Sequence, residues 1–167
     1  MEIRICGLIS AENNEEIISV CKENNKDLKL SEAVFRLPLH VLVKEPFETD
    51  DYERVRDTVS AFLYKKGPLR SEIAEVIKTD NKIFLRLKGE VTEFSKELDD
   101  LLYDSFKTDK CELKHNVILF ADDNDELINE MYHRLYSQIK SKEIIIDRFV
   151  ISSSGSGDYY IDLKIKL

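Results

Sequence analysis

The chain has 167 residues and is 43% apolar, with 7 tyrosines and 8 phenylalanines, so it is long enough to form a domain with a proper core. Its net charge of −8, from 25 basic and 33 acidic residues, argues against binding to long nucleic acids, because such binding depends on clustered Lys and Arg that neutralise phosphates. No apolar run reaches the roughly 18 residues of a membrane span, and the N-terminus lacks a secretory pattern, so we expect a cytoplasmic protein with no membrane partner.

The first third of the chain is predicted to form a strand, a helix and a second strand. Residues 2–9 alternate apolar and polar side chains, which indicates a strand with one buried face. Residues 11–27 are predicted to form a polar helix with one apolar face. After a loop over residues 28–36, an apolar strand opens at His40.

A helix and a hairpin are predicted next. The helix begins near Asp51, where Asp50 or Asp51 can accept hydrogen bonds from its first N–H groups, and Gly67 ends it. The hairpin pairs residues 73–77 with residues 83–87 around a Thr-Asp-Asn turn.

The second half of the chain repeats this order. Residues 91–106 have the apolar spacing of a helix, an apolar strand opens at His115, and another helix follows over residues 124–139. Residues 144–152 and 159–167 are predicted to form the final hairpin.

The two strand-opening histidines lie in matching frames, which predicts an internal duplication. We expect a single domain of two intertwined lobes, with approximate repeats over residues 28–90 and 91–167 and an additional strand and helix over residues 1–27. The matching segments are Leu37-Pro38-Leu39-His40-Val41-Leu42-Val43 and Leu113-Lys114-His115-Asn116-Val117-Ile118-Leu119.

Strands and helices that alternate in this pattern predict an α+β fold. Each half would supply an antiparallel sheet with helices packed on its outer face. Two such duplicated sheets, related by a pseudo-two-fold axis, give a bilobal molecule with a central cleft. The two histidines are expected to face each other across that cleft.

The 3 cysteines predict neither a metal site nor a nucleophile. Cys6, Cys21 and Cys111 have no Cys-x-x-Cys spacing and no histidine spaced to complete a zinc site, so we expect reduced thiols. Along an extended strand Cys111 and His115 would be about 13 Å apart, too far for a nucleophilic pair unless the chain turns between them.

The stretch from Leu37 to Phe47, with Pro-x-His, an apolar strand and a later Pro-Phe, resembles the two-histidine (2H) phosphoesterase superfamily. That superfamily includes the bacterial 2′,5′ RNA ligase and 2′,3′-cyclic phosphodiesterase proteins, and the resemblance covers nearly the whole chain. It implies a bilobal fold, a cleft that needs no metal or other cofactor, and a cyclic or bridging phosphate faced by His40 and His115. Each motif of the family reads His-x-Thr or His-x-Ser.

Two imidazoles suit the opening of a cyclic phosphodiester, because one accepts a proton from water while the other donates a proton to the departing ribose oxygen. Residues i and i+2 of a strand share a face, so the motif hydroxyl lies beside the imidazole and holds phosphate oxygens. Leu42 and Val117 occupy these two substrate-binding positions here. Losing one such donor costs about 2.7–4 kcal/mol, so losing both predicts a rate lower by roughly 10⁴-fold or more.

Basic side chains near the histidines are the remaining candidates for phosphate contacts. Arg36 and Lys44 flank His40, while Lys110 and Lys114 precede His115. Alternatively, all four are solvated loop charges. Residues on other strands could instead supply the missing positive charge, namely Arg4, Arg86 and Arg148.

Three further features have an ordinary explanation beside a functional one. His133 is predicted to be an exposed histidine on a helix. Residues 152–158, rich in Ser and Gly, form either a phosphate-binding nest of backbone N–H groups or simply the loop of the final hairpin. Tyr159 and Tyr160 could stack on a base at the cleft rim, although strand alternation predicts one buried and one exposed ring.

Together the resemblance and the two histidines imply a metal-independent phosphoesterase in which His40 and His115 serve as acid and base. Its substrate would be a small nucleotide or RNA-end ester, either a 2′,3′-cyclic phosphate or a 2′,5′ linkage. The alternative is a degenerate relative that binds a nucleotide or a protein partner without turnover. A third possibility is a duplicated domain with a purely structural role.

Overall fold

Strands and helices alternate along the chain much as the hydrophobic periodicity predicts. The computed structural model describes residues 1–139, 141–154 and 160–166, and for residues 160–166 it describes the backbone only. Much of the Ser- and Gly-rich segment, Tyr159 and the ring of Tyr160 therefore lie outside the described residues. The elements are β1 (Glu2–Ile9), α1 (Ala11–Asn25), a 3₁₀ turn (Ala33–Arg36), β2 (His40–Glu48), α2 (Tyr52–Leu63), β3 (Leu69–Thr79), β4 (Lys82–Gly89), α3 (Glu90–Phe106), β5 (Asn116–Ala121), α4 (Asp125–Ile139), β6 (Glu143–Ser154) and β7 (Tyr160–Lys166).

Local side-chain chemistry sets the ends of the helices. Of the two candidate caps for α2, Asp51 is the one that acts, because its carboxylate accepts a hydrogen bond from Arg54 N at 3.3 Å. The helix α3 ends where Lys107 adopts a left-handed conformation with φ of 57°. The chain that follows reaches β5 through an irregular segment over residues 107–115.

The strands pair antiparallel in the order β2-β1-β6-β3-β4-β5, and β7 also pairs with β6. One edge of β6 pairs with β1, while its other edge pairs first with β3, over residues 143–146, and then with β7. The α+β class with antiparallel sheets is therefore confirmed. The two predicted sheets are hydrogen-bonded into a single sheet whose two arms share β6.

One face of this sheet is covered by helices and forms the core. Helix α3 packs against β2, β3 and β4, and α4 packs against β3, β4 and α1. The ring of Phe94 on α3 stacks on the ring of Phe149 on β6, with centroids 4.6 Å apart. Strand residues of this face are fully or almost fully buried, among them Ile3, Ile5, Val41, Val43, Leu85, Val117 and Ile151.

The other face of the sheet curls into a cleft. The strands β2 and β5 stand at opposite ends of the strand order, yet they contact each other. The open face is therefore bounded by the two strands in which the sequence motifs begin. Within the described residues, no helix is both long enough and apolar enough to cross a membrane.

Candidate functional site

A cleft of about 470 Å³ lies where β2 and β5 approach each other. The floor comes from β1, one wall from β2 and the facing wall from β5, while the 3₁₀ turn and its flanking residues close one end. Its lining is largely apolar but contains a few polar groups. The polar residues that line it are Arg4, Cys6, His40, Glu45 and Asn116, and the apolar ones include Val34, Leu37, Leu39, Leu42, Pro46 and Ile118.

His40 presents an oriented imidazole to this cleft. It is the first residue of β2, its side chain is exposed, and its Nδ1 lies 3.0 Å from the carbonyl oxygen of Pro38. A carbonyl oxygen only accepts hydrogen bonds, so Nδ1 donates and the neutral ring keeps the lone pair on Nε2. Leu42 lines the same cleft. The position beside the imidazole therefore holds an apolar side chain where the family motif has a hydroxyl.

His115 lines a different cavity from His40, so the structure does not bring the two predicted catalytic histidines together in this cleft. His115 is only 5% exposed, and its backbone oxygen accepts a hydrogen bond from Leu87 N at 2.8 Å. It lines a separate cavity of about 570 Å³ beside α3. Val117, the second predicted substrate-binding position, is 1% exposed and lies in the core.

The reason is a shift of one residue in the second motif. The strand β5 begins at Asn116, and Asn116 and Ile118 take the cleft face. In this frame His40-Val41-Leu42-Val43 corresponds to Asn116-Val117-Ile118-Leu119, and the second and fourth residues of both segments are buried in the core. Asn116 therefore stands where a second histidine is expected, and Ile118 stands where its hydroxyl partner is expected.

Burial leaves the imidazole of His115 in an unfavourable environment. Desolvation lowers its pKa below the ordinary value for His. Its Nε2 has no hydrogen-bond partner among the described residues. A buried polar atom without a partner costs stability, so Nε2 of His115 destabilises the folded state.

We therefore expect His115→Leu to raise the free energy of unfolding by about 1 kcal/mol at pH 7, because it removes an unpartnered buried nitrogen. A folded-state pKa below the unfolded value, about 6.5, means that the wild type loses stability as the pH falls through 6.5, whereas the variant lacks this loss. Urea titrations between pH 7 and pH 5 measure both effects. Equal acid sensitivity in the two proteins would contradict the burial, and the exposed His133→Gln serves as control.

Lys44, predicted as a phosphate contact beside His40, lies on the opposite face of the sheet. Cys6 pairs with Leu42 and Ile5 pairs with Lys44, so β2 has an extra residue, Val43, between the two pairs. This β-bulge reverses the alternation, and Lys44 points to the helix side. Its ammonium group, 2% exposed, forms an ion pair with Asp99 of α3. That contact is structural.

The other predicted cations near the motifs also lie outside the cleft. Arg36 ends the 3₁₀ turn and lines a different depression, together with Lys22 and Glu32. Lys110 forms an ion pair with Asp100 at 2.7 Å and borders the cavity that His115 lines. Arg36 and Lys110, like Lys44, therefore do not line the cleft that His40 lines.

Two of the three arginines on neighbouring strands reach the cleft or its wall. Arg4 lines the floor, where its Nε lies 3.8 Å from a carboxylate oxygen of Glu2. Arg86 of β4 donates from Nε to Asn116 Oδ1 at 3.4 Å. Arg148 uses its guanidinium to donate to Ile9 O at 2.8 Å and is thereby held at the sheet.

The cleft cysteine is not a nucleophile. Burial raises the pKa of the Cys6 thiol to about 11, so it is protonated near neutral pH. Cys21 is buried in the core and Cys111 is exposed. The described side chains contain no group of His, Cys, Asp and Glu that could hold a metal ion.

Comparison with known proteins identifies the fold. Neither a protein-family model nor a curated protein sequence matches the chain. Among solved structures, TT0787 of Thermus thermophilus has a TM-score of 0.63 at 12% identity, covering 100% of this chain and 98% of its own. Usb1 of Kluyveromyces marxianus has a TM-score of 0.60 at 7% identity, and the match covers 99% of this chain and 98% of Usb1. LigT of E. coli in complex with 3′-AMP has a TM-score of 0.60 at 11% identity, and the match covers 99% of this chain and 97% of LigT.

At such low identity this likeness concerns the fold. The chain has the 2H phosphoesterase fold, as the first motif indicates, and the matches cover 99% to 100% of the chain.

Proposed function

We propose that this protein binds a small nucleotide or an RNA-end phosphate ester in the cleft between β2 and β5, without turning it over by two-histidine catalysis. One observation carries the second part: Asn116 occupies the position of the second histidine, while His115 borders another cavity. Acid–base catalysis of ring opening needs a second group that exchanges a proton near neutral pH. A carboxamide offers hydrogen-bond donors and an acceptor but does not exchange that proton.

The lining of the cleft supports a ligand with an anionic and an apolar part. Arg4 supplies a positive charge at the floor, and His40 and Asn116 supply hydrogen-bonding groups on the two walls. The apolar side chains of Leu42 and Ile118 lie beside them and suit the face of a nucleobase. A lining with one charged and polar part and one apolar part suits a nucleoside monophosphate better than a long polyanion, whose binding the net charge of −8 disfavours.

Solved relatives of the fold suggest the ligands to test first. The E. coli LigT structures contain 3′-AMP, phosphate and NADP⁺. Each carries a phosphate group, and 3′-AMP is one of the two monophosphates that opening of 2′,3′-cyclic AMP can give, namely the one formed when the bond from phosphorus to O2′ is broken. We therefore take 3′-AMP as the probe for this chain.

His40→Ala should weaken the binding of 3′-AMP by about tenfold, because the ring that takes up a proton on Nε2 as the anion binds donates a charged hydrogen bond to the phosphate, while Nδ1 stays bound to Pro38 O. Isothermal titration calorimetry in the presence of EDTA measures the dissociation constants, and we expect EDTA to leave them unchanged. The matched control is His133→Ala, whose exposed ring lies on α4 and contacts Tyr132 rather than the cleft. A wild type that does not bind 3′-AMP, or a His40→Ala variant that binds it equally well, would refute the proposed site.

A further inference from the structure

A contact across neighbouring strands determines how Asn116 presents its amide to the cleft. Arg86 on β4 is the register partner of Asn116 on β5, and Arg86 Nε donates to Asn116 Oδ1 at 3.4 Å. A guanidinium has donors only, so the amide must turn its oxygen towards Arg86 and its Nδ2 away from it. Within the described part of the chain, Nδ2 donates to no protein acceptor, and Asn116 lines the cleft.

Arg86 is itself held from the other side. Its Nη1 lies 3.6 Å from a carboxylate oxygen of Glu75 on β3, which is the register partner of Arg86 on that strand. Glu75, Arg86 and Asn116 therefore form a row across β3, β4 and β5. With the guanidinium anchored at both ends, the orientation of the amide is fixed before a ligand arrives.

We infer that Arg86 is a positioning residue for ligand binding, which turns the Asn116 amide so that both Nδ2–H groups are offered to an oxygen of the bound ligand. The inference rests on the proposed function. It also restricts the chemistry of the ligand at this wall, because two N–H donors with no acceptor beside them match an acceptor-only group such as a phosphate. The phosphate of the nucleotide should therefore lie between His40 and Asn116, with the apolar part against the remaining walls.

A direct electrostatic role for Arg86 is the competing explanation, and a double-mutant cycle separates the two. The probes are inorganic phosphate and 3′-AMP, titrated into wild type, Arg86→Met, Asn116→Ala and the double variant. If Arg86 acts through Asn116, Arg86→Met weakens binding about tenfold in the wild-type background. The same change then costs less than about twofold in the Asn116→Ala background, because no amide remains to be oriented.

Two further variants test specificity. Arg86→Lys keeps a donor-only cation beside Oδ1, so it should bind within about threefold of wild type. Lys88→Met removes one positive charge two residues further along β4, where Lys88 pairs with Glu72 at 2.9 Å, and should change binding by less than about twofold. Circular dichroism and urea midpoints show which variants keep the wild-type fold.

The side-chain amide of Asn116 provides a spectroscopic readout that a purely structural role would not affect. Its ¹H–¹⁵N signals, identified by their loss in Asn116→Ala, should shift on addition of phosphate in wild type and Arg86→Lys. An Arg86→Met effect that persists in the Asn116→Ala background, or that Lys88→Met reproduces, would overturn the positioning role and leave the proposed function standing. A wild type that binds neither probe would overturn both.

Discussion

A variant that restores the missing groups of the cleft should hydrolyse 2′,3′-cyclic AMP at least about 10²-fold faster than the wild-type chain, which we expect to show no turnover. The variant combines Asn116→His, Leu42→Thr, Ile118→Thr and Arg86→Gln. A positioned general acid contributes about 10²–10⁴-fold, and a donor to the developing negative charge contributes about 10²–10³-fold. Arg86→Gln is included because a neighbouring guanidinium would disfavour protonation of the new imidazole.

Chromatographic detection of adenosine monophosphates, with EDTA present throughout, measures this activity. The control adds His40→Ala to the same four changes and should return to the background, since His40 supplies the other half of the proton exchange. The opposite finding would be hydrolysis by the wild-type chain that disappears in His115→Ala. It would restore the two-histidine enzyme and contradict the assignment of the cleft.

Asp99→Ala should lower the free energy of unfolding by about 3–5 kcal/mol, because it leaves the buried ammonium of Lys44 without its counter-charge. Lys44 is 2% exposed at the side chain, whereas Asp99 is 15% exposed. Lys44 also donates to the carbonyl oxygen of Asp109 at 2.6 Å, which ties β2 to the segment that follows α3. The pair therefore fixes the irregular segment over residues 107–115 to the sheet.

Lys44→Met is the matched variant for this pair. It replaces the ammonium with an apolar chain of similar length, and replacing rather than breaking a buried pair is often close to neutral. We expect Lys44→Met to cost less than Asp99→Ala, and the double variant to be more stable than Asp99→Ala alone. Urea unfolding of the three variants measures these differences. A Lys44→Met variant less stable than Asp99→Ala would show that the ammonium is not the group in need of compensation.

Periodicity predicts the elements of this chain well because each amphipathic segment buries one face. The spacing of Val91, Phe94 and Leu98 indicates α3, and all three side chains lie in the core. The hairpin of β3 and β4 turns at Asp80 and Asn81, as its polar residues indicate. The duplication of residues 28–90 and 91–167 stays a prediction, since only the pairing of the strands, and not their ancestry, is visible in the fold.

The site is harder to predict because a shift of a single residue changes which face of a strand a side chain occupies. A sequence alignment that matches His40 with His115 makes Val41 equivalent to Asn116. The burial of the side chains instead makes Val41 equivalent to Val117, since both lie in the core. The alternation of apolar residues in the two segments indicates this shift, but an alignment based on the two histidines does not use it. The β-bulge that turns Lys44 away from the cleft depends on the pairing of β2 with β1, which no local pattern shows.

Residues on strands distant in sequence complete the cleft, and only tertiary structure brings them there. Arg4 and Cys6 form the floor because β1 lies beside β2. Arg86 reaches Asn116 because β4 pairs with β5. From the sequence, Arg4 and Arg86 are candidates for the positive charge near the ligand, but the sequence does not show on which side of the cleft each would lie.

Histidine imidazole ¹H–¹⁵N spectra, recorded while 3′-AMP is titrated into the labelled protein, test most directly which ring meets the ligand. We predict that the ring signals of His40 shift with a saturable dependence on 3′-AMP, while those of His115 and His133 remain in place. Signals of His40 and His115 that shift together with one dissociation constant would contradict the account, because both imidazoles would then face the same phosphate.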